Sequence, residues 1–318
     1  MALLREGKLV AFPTETVYGL GARADDDEAV RRIYAAKGRP ATNPSIVHVA
    51  SLSAACRLAH LGVQARSLAS AFWPGPLTIV ARRRAGAVAD ATTSGGDTVA
   101  MRVPAHPVAL ALLTQLDLPV AAPSANRSMH VSPTTAAHVA RSLGDRVDAI
   151  VDGGPALHGI ESTIVRAVDG EPLTVLRLGA VPLAAIATFV SPHAVTDASA
   201  RVDAMDAAAP APGGQARHYA PAGRLVVVSR ADLAGAVADA RRAGERIGMV
   251  AVVDRPHLAE SEITLAADAA SYAAGLYAAL HELESRGCDA IVVERVPDGD
   301  TWSAVRDRLR RASVPQRR

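Results

Sequence analysis

Two short segments near the start of the chain bring hydroxyls, glycines and cations together. The first, residues 12–21, reads FPTETVYGLG and follows an apolar run, which predicts a loop at the end of a strand. Threonine hydroxyls donate and accept hydrogen bonds, and glycines let the backbone approach a ligand closely. The second, residues 37–44, reads KGRPATNP and places Lys37 and Arg39 at the predicted end of a helix. Together they suit a polyanionic small molecule such as a nucleotide; two ordinary turns with solvated charges are the alternative.

Three more polar side chains stand inside apolar, strand-like segments: Arg102, Arg177 and His48. A charge in such a segment is costly unless it faces a partner or a ligand. Each arginine is therefore a candidate ligand-binding residue, with an internal ion pair as the alternative. For the histidine, the alternative is a hydrogen-bonded core residue.

Several hydroxyl side chains could also bind substrate. Ser132 precedes Pro133 and is predicted to be the N-cap of a helix that ends at Gly144, and a helix N-terminus attracts phosphate. For Ser162 and Thr163, hydrogen bonding within an edge strand is the alternative. The full set of candidate hydroxyls is Thr16, Thr98, Ser124, Ser132, Ser162 and Thr163.

Motifs that are absent narrow the chemistry. The sequence contains no Gly-x-x-x-x-Gly-Lys-Ser/Thr loop, no Gly-x-Ser-x-Gly turn and no His-Glu-x-x-His helix, so any ATP chemistry depends on dispersed cations and hydroxyls. Cys56 and Cys288 lack partner motifs, which argues against a disulfide framework or a cysteine metal site. A net charge of +2 argues against bulk nucleic-acid binding. Since no signal peptide or bilayer-spanning apolar run is found, we expect a cytoplasmic protein that does not bind membranes.

Hydrophobic patterning predicts an α/β fold for the first part of the chain. Helices are expected at residues 27–37, at 107–115 and between Pro133 and Gly144. Residues 168–172 carry a hairpin-turn signal, which together with helical crossovers indicates an open, twisted, mixed sheet. Its strands are predicted at residues 9–12, 46–49, 77–81, 99–103, 120–122, 149–151, 162–167 and 174–178.

Periodicity is lost over residues 191–215, where Ala, Pro, Asp and Gly predict an interdomain linker. Beyond it, strands and helices alternate, which predicts a smaller Rossmann-like parallel domain, although no Gly-x-Gly-x-x-Gly loop follows its first strand. We therefore divide the chain into a first domain (1–190), a linker (191–221) that could form a lid or could simply be an ordered connector, and a C-terminal domain (222–318). Strands of the last are predicted at 225–228, 247–253 and 290–293, and helices at 231–243, 272–286 and 301–312.

The opening segments and a series of later ones, taken in order, resemble the YrdC-like threonylcarbamoyl-AMP synthases in their long, two-domain form. The last segment, residues 212–221 (PGGQARHYAP), is similar to a linker of the long members. Ser45 and Met129 depart from the family, which usually has Leu and Gly there, and the segment before the first strand is short. The other matching segments are 43–49, 72–78, 98–104, 122–126, 132–134, 159–164 and 176–179.

The resemblance implies that the chain condenses L-threonine, hydrogencarbonate and ATP, with Mg²⁺, into threonylcarbamoyl-AMP and pyrophosphate, as a nucleotidyltransferase. Lys37 and Arg39 would be catalytic cations near the phosphates. The product would pass to a separate tRNA-modifying transferase complex that forms N6-threonylcarbamoyladenosine, with at most a weak tRNA contact by this chain. The resemblance places Thr16, His48, Arg102, Ala122 and Ser162 around threonine, and Arg39, Asn43, Thr98, Ser124, Ser132, Arg177 and Tyr219 around ATP.

Two other functions compete with this hypothesis. An RNA-binding module of the same fold, without turnover, is one alternative, although 3% aromatic content argues against stacking on single strands. A carbamoyl-adenylate enzyme of hydrogenase maturation is the other. The paired Cys-x-x-Cys motifs expected of that class are absent from this sequence, so the synthase hypothesis is favoured.

Overall fold

The computed structural model describes residues 1–189, the backbone of 195–197, and residues 218–252 and 257–314. Within these ranges the strands form two sheets, of eleven and four strands. The strands of the first sheet are β1 (Val10–Phe12), β2 (Gly19–Arg23), β3 (Ile46–His48), β4 (Ala59–His60), β5 (Leu77–Arg83), β6 (Thr98–Arg102), β7 (Val120–Ala121), β8 (Ala149–Ile150), β9 (Thr163–Arg166), β10 (Leu173–Arg177) and β11 (Val195–Asp197).

The first sheet has the strand order β11-β10-β9-β5-β6-β3-β7-β2-β1-β8, and β4 pairs with β5. Parallel pairs such as β3 with β6 alternate with antiparallel pairs such as β5 with β6, so the predicted mixed sheet is confirmed. In the β3–β6 pair, His48 lies opposite Arg102. This register brings the two polar residues of these apolar strands to the same edge of the sheet.

Helices cover this sheet and set the positions of the loops. Helix α2 begins after Asp26, whose carboxylate accepts hydrogen bonds from the first turn, and it ends at Gly38 in a left-handed conformation (φ 62°). Its buried apolar residues include Val30 and Ile33, which join the main core. The helices of this part are α1 (Ala2–Arg5), α2 (Asp27–Lys37), α3 (Leu52–Leu58), α4 (Val63–Phe72), α5 (Asp90–Thr93), α6 (Pro107–Leu116), α7 (Ala136–Leu143) and α8 (Leu183–Ala187).

The second sheet consists of β12 (Arg224–Val228), β13 (Ile247–Val252), β14 (Ser261–Leu265) and β15 (Ala290–Glu294), in the order β12-β15-β13-β14 with every pair parallel. Helix α9 (Leu233–Arg242) packs on one face, and α10 (Ala269–Ser285) and α11 (Ser303–Ala312) pack on the other. The predicted Rossmann-like parallel architecture is therefore confirmed.

The two sheets are joined by a shared core. Val17, Val131 and Ile160 of the first part pack in one apolar cluster with residues of α10 and α11. Gly159 permits this approach because a Cβ there would lie 2.4 Å from the carbonyl oxygen of Ala274. Since the residue also has φ 66°, a side chain would be strained as well as obstructed.

The structure differs from the predicted elements at several points. Strands β2 and β14 and helices α3 and α4 were not predicted. Strand β11 falls within the segment predicted as the linker and pairs with β10. The prediction that Ser132 caps α7 was wrong: the cap is Thr135, whose hydroxyl accepts from the His138 N–H. Met129, where the family usually has Gly, adopts φ 69°, which explains why glycine suits that position.

Candidate active site

A cavity lies at one edge of the first sheet. Its walls come from the loop after β1, the ends of β3, β6 and β10, the segments that follow β7 and precede β9, and the residues that lead into β12. The lining residues are Thr14, Thr16, Val17, Gly19, Arg39, Ile46, His48, Arg102, Ala122, Pro123, Ser124, Glu161, Ser162, Arg177, His218 and Tyr219.

The loop after β1 is closed by an internal hydrogen bond, and it also orients the side chain of Arg102. The Thr14 hydroxyl donates to the carbonyl of Val17 (2.6 Å), which closes a tight turn. Arg102 donates from Nη1 to the hydroxyl of Thr16 (2.7 Å) and from Nε to the carbonyl of Gly75 (3.1 Å). The guanidinium is therefore fixed on two sides, although only 3% of the residue is exposed.

A buried carboxylate balances the charge of Arg102. Glu15 Oε1 lies 2.6 Å from Arg102 Nη2, in close contact but without the alignment of a good hydrogen bond. Burial opposes ionisation of this carboxyl, but Arg102 outweighs it and lowers the pKa of Glu15. The pair stays ionised, and each Nη atom keeps an N–H donor that can face a ligand.

His48 is a neutral member of the same wall. Burial and the nearby charge of Arg102 lower the pKa of His48 to about 3. Its Nδ1 atom finds no hydrogen-bond partner in the described part of the chain. A neutral imidazole beside Arg102 can hydrogen-bond a ligand without adding charge.

Arg39 is a second cation in the lining of the cavity. Arg39 donates from Nε to the carbonyl of Asn43 (3.2 Å) and from Nη2 to that of Pro44 (2.8 Å). Burial lowers the pKa of Arg39 to about 10, which still leaves the guanidinium charged at neutral pH. It is thus a positioned cation in the cavity wall.

Arg177 holds the segment that precedes β9. Its Nε and Nη2 atoms donate to the carbonyl of Ser162 (3.1 and 2.9 Å), and Nη2 also reaches the Ser162 hydroxyl (3.1 Å). That hydroxyl lies 2.8 Å from the hydroxyl of Thr78. Gly179 allows the packing, because a Cβ there would lie 2.4 Å from the carbonyl oxygen of Glu161.

Residues just before β12 complete the cavity. His218 and Tyr219 are 5% and 1% exposed, and Tyr219 has φ 59°. Burial and the surrounding arginines keep the pKa of His218 well below its usual value, so this imidazole is neutral. The Tyr219 hydroxyl finds no hydrogen-bond partner within the described ranges. The lid prediction also included Arg217, which lies outside the described residues.

The charges in the walls favour an anionic ligand. Arg39, Arg102 and Arg177 line the cavity, and Glu161 is the acidic residue among its lining residues. Burial opposes ionisation of Glu161, but the charges of Arg308 and Arg177 lower its pKa. In residues 1–189, 218–252 and 257–314, no group of three or more His, Cys, Asp or Glu is placed to hold a metal ion.

Comparison with known proteins agrees with this geometry. A family model described as "Telomere recombination" matches residues 2–179, and one described as "Threonylcarbamoyl-AMP synthase, C-terminal domain" matches residues 181–314. The threonylcarbamoyl-AMP synthase of Pyrococcus abyssi is 40% identical over 98% of this chain and 92% of its own length. The chain belongs to the threonylcarbamoyl-AMP synthase family. The predicted family and its activity are confirmed.

Other family members agree over the whole chain or its first part. The crystal structure of P. abyssi Sua5 complexed with L-threonine matches with a TM-score of 0.92 at 40% identity, over 98% of this chain and 92% of that chain. The synthase of Bacillus subtilis is 38% identical over 98% of this chain and 91% of its own length. That of Halorhodospira halophila is 41% identical over 50% of this chain and 83% of its own length.

Most residues that the sequence predicted for the site of this family member line the cavity. They are Thr16, Arg39, His48, Arg102, Ala122, Ser124, Ser162, Arg177 and Tyr219. These residues come from segments spread over more than half of the chain. The roles assigned to them around threonine and ATP stay predictions.

Four predicted residues lie outside the lining. Lys37 is buried, and its Nζ atom donates to the carbonyls of Ser124 and Asn126 (2.5 Å each). Burial and the charge of Arg39 lower the pKa of Lys37 well below its usual value. Asn43 is buried beside Arg39, and Ser132 donates from Oγ to Glu161 Oε1 (2.5 Å). Thr98 begins β6 at the end opposite Arg102.

Three lining residues with polar side chains were missing from the predicted site. Thr14 and Glu161 both lie in motifs that the sequence singled out, but their neighbours were chosen instead. His218 was noted in the lid segment, without a contact assigned to it. A polar residue inside a matching motif was the available signal for all three.

Acid should destabilise this family member through its buried histidines. Burial lowers the pKa of His281 to about 3, so the unfolded chain takes up a proton below about pH 6.5 that the folded chain refuses. Stability should therefore fall as pH drops, by up to about 1.4 kcal/mol per unit for each such histidine.

The measurement is urea unfolding between pH 7 and 5, compared with His281→Gln, since a glutamine N–H can still reach the carbonyl of Ser132. The contact from His281 Nε2 to that oxygen is 3.1 Å. We expect a shallower pH slope in the variant; an unchanged slope would contradict a neutral His281 in the folded state.

Proposed function

We propose that the chain condenses L-threonine, hydrogencarbonate and ATP into threonylcarbamoyl-AMP and pyrophosphate in this cavity, which makes it a nucleotidyltransferase. The observation that carries the proposal is one cavity lined by three positioned arginines, two of which have different neighbours. Arg102 contacts Thr16 and Glu15 and lies near His48, whereas the charged neighbours of Arg39 include Arg177. Two separate cationic positions suit a carboxylate and a triphosphate bound at the same time.

Arg102 is the best-placed group for the threonine carboxylate. Its orientation is set by the hydroxyl of Thr16 and the carbonyl of Gly75, and its charge is balanced by Glu15. A planar guanidinium with free N–H donors matches a carboxylate in bidentate fashion. The relative from P. abyssi, whose structure contains L-threonine, supports this choice of substrate.

Arg39 and Arg177 would bind the phosphates of ATP, and Ser124 and Tyr219 also line the cavity. Lys37 would act indirectly, because its Nζ atom donates to the carbonyls of Ser124 and Asn126 and holds them in place. Mg²⁺ enters with ATP as part of the substrate, held mainly by phosphate oxygens and water, as is typical of this ion.

The reaction needs no protein nucleophile. Hydrogencarbonate takes up a proton and loses water to give CO2, and the threonine amine captures this CO2 as a carbamate with release of a proton. A carbamate oxygen then attacks the α-phosphorus of ATP, and the bond to the β-phosphate oxygen breaks to release pyrophosphate. The protein contributes orientation of the two reactants and cations fixed near the charge that develops on the leaving group.

The test is pyrophosphate release by the full chain, with each substrate omitted in turn. We expect release only when L-threonine, hydrogencarbonate and MgATP are all present, and loss of release when the divalent ion is chelated. Release without threonine would contradict the proposed reaction. Strongly salt-dependent RNA binding with no pyrophosphate release would instead favour the RNA-binding module.

The product must be consumed by another protein. Threonylcarbamoyl-AMP is a reactive mixed anhydride, and a tRNA-modifying transferase complex in the cytoplasm is the proposed acceptor. No helix in the described part of the chain is long and apolar enough to cross a membrane. A direct contact of this chain with tRNA would be weak, since the net charge is only +2.

A further inference from the structure

The second domain contacts a carboxylate in the wall of the cavity. Glu161 lies in the cavity wall at 5% exposure. Its Oε2 atom accepts from the hydroxyl of Tyr277 (3.1 Å), on α10, and from Nε of Arg308 (2.8 Å), on α11. Its Oε1 atom accepts from the hydroxyl of Ser132 (2.5 Å). Two of the three partners thus belong to the C-terminal domain.

Arg308 links three parts of the site at once. It is 1% exposed, and besides Glu161 it donates from Nη2 to the carbonyl of Leu178 (2.8 Å), the residue after Arg177. Its Cζ atom lies 4.8 Å from the centre of the Tyr219 ring, a cation–π contact. Asp307 accepts from Nη1 (2.8 Å) and fixes the remaining side of the guanidinium.

The charge of Arg308 also matters for the ligand. A bare carboxylate at Glu161 would face the wall proposed to bind the triphosphate, and like charges in a low-dielectric cavity repel strongly. Arg308 contacts this carboxylate and offsets its charge, so that a phosphate does not meet an unbalanced anion there. An arginine used for domain docking alone would have no need to meet a carboxylate of the cavity wall and the ring of Tyr219 together.

We propose that Arg308 and Tyr277 are positioning residues of the active site, which hold Glu161 and Tyr219 in the cavity wall and neutralise Glu161 so that the ATP side accepts phosphate. The inference rests on the proposed function. It gives the second domain a direct part in ATP binding.

The experiment compares the KM for ATP and for threonine, kcat and the melting midpoint across full-chain variants. Arg308→Met should raise the KM for ATP about tenfold or more and leave the KM for threonine within about twofold, since one charged contact is lost on the ATP side. Arg308→Met combined with Glu161→Gln should recover most of the KM for ATP, because the repelling charge is gone. Tyr277→Phe should give a smaller rise in the KM for ATP.

Tyr272→Phe is the matched control for Tyr277→Phe. Tyr272 lies on the same helix, is fully buried, and packs against Trp302, while its hydroxyl finds no partner in the described residues. This variant should leave both KM values unchanged.

Equal changes in both KM values, or a double variant no better than Arg308→Met, would overturn the inference. If Arg308→Met does not fold, Tyr277→Phe and Arg308→Lys test the inference instead. Each should raise the KM for ATP more than the KM for threonine. Wild-type protein without pyrophosphate release would refute the proposed function itself, so the two failures are distinguishable.

Discussion

Arg102→Lys should raise the KM for threonine by about 100-fold, while the KM for ATP stays within about twofold. Lysine keeps a positive charge beside the buried Glu15, so the fold does not have to accommodate an unpaired carboxylate. It loses the planar pair of donors, and it cannot reach Thr16, Gly75 and a ligand together. The measurement is steady-state pyrophosphate release with threonine varied at saturating ATP.

Arg82→Lys is the control for this substitution. Arg82 lies on the neighbouring strand β5, is exposed, and forms surface ion pairs with Asp97 and Glu171. Exposed ion pairs contribute little to the stability of a protein, so the substitution should leave both KM values unchanged. A normal threonine KM in Arg102→Lys, or an equal rise for both substrates, would remove Arg102 from the threonine side.

Arg39→Met should raise the KM for ATP between about 10- and 100-fold and leave threonine binding nearly unchanged. The guanidinium supplies a positioned charge in the cavity wall, and it also satisfies the carbonyls of Asn43 and Pro44. Methionine fills similar volume but removes both functions. Arg39→Lys should be intermediate, because the charge remains while the paired geometry is lost.

Arg32→Met controls for loss of a charge near Arg39. Arg32 lies on α2, is exposed, and pairs with Glu28 one turn earlier. We expect less than about 1 kcal/mol of lost stability and normal kinetics from this change. An unchanged ATP KM in Arg39→Met would place the triphosphate elsewhere in the cavity.

The elements that the sequence predicted well have strong local signals. Helix α2 begins at an aspartate cap and ends at Gly38, and hairpin β9–β10 turns around Gly170. Strand β2 was not predicted, because glycine is unfavourable in strands by propensity. The structure shows why a glycine occupies position 21: a Cβ there would lie 2.7 Å from the ring of Phe12 on the paired strand β1.

The site residues were predictable where a motif carried both the residue type and its order in the chain. Arg102 and Arg177 stood out because charged residues in apolar strands need a partner. Ser132 was assigned to a helix cap for its local context, yet its hydroxyl bonds Glu161, 29 residues further along. Local spacing could not show this, since the two side chains meet only after β9 and the preceding segments are packed.

By itself, the sequence determined the family, the reaction class and the types of side chain available, since these follow from ordered motifs and from chemistry that each residue carries alone. The tertiary structure decided which charge balances which. Glu15 pairs with Arg102 across 87 positions of the chain, and Thr16 accepts a hydrogen bond from the same arginine across 86. Arg308 reaches Glu161 across 147 positions. Burial and charge pairing are long-range properties of the packed chain. No local pattern encodes them, and that is why the part played by the second domain appeared only in the structure.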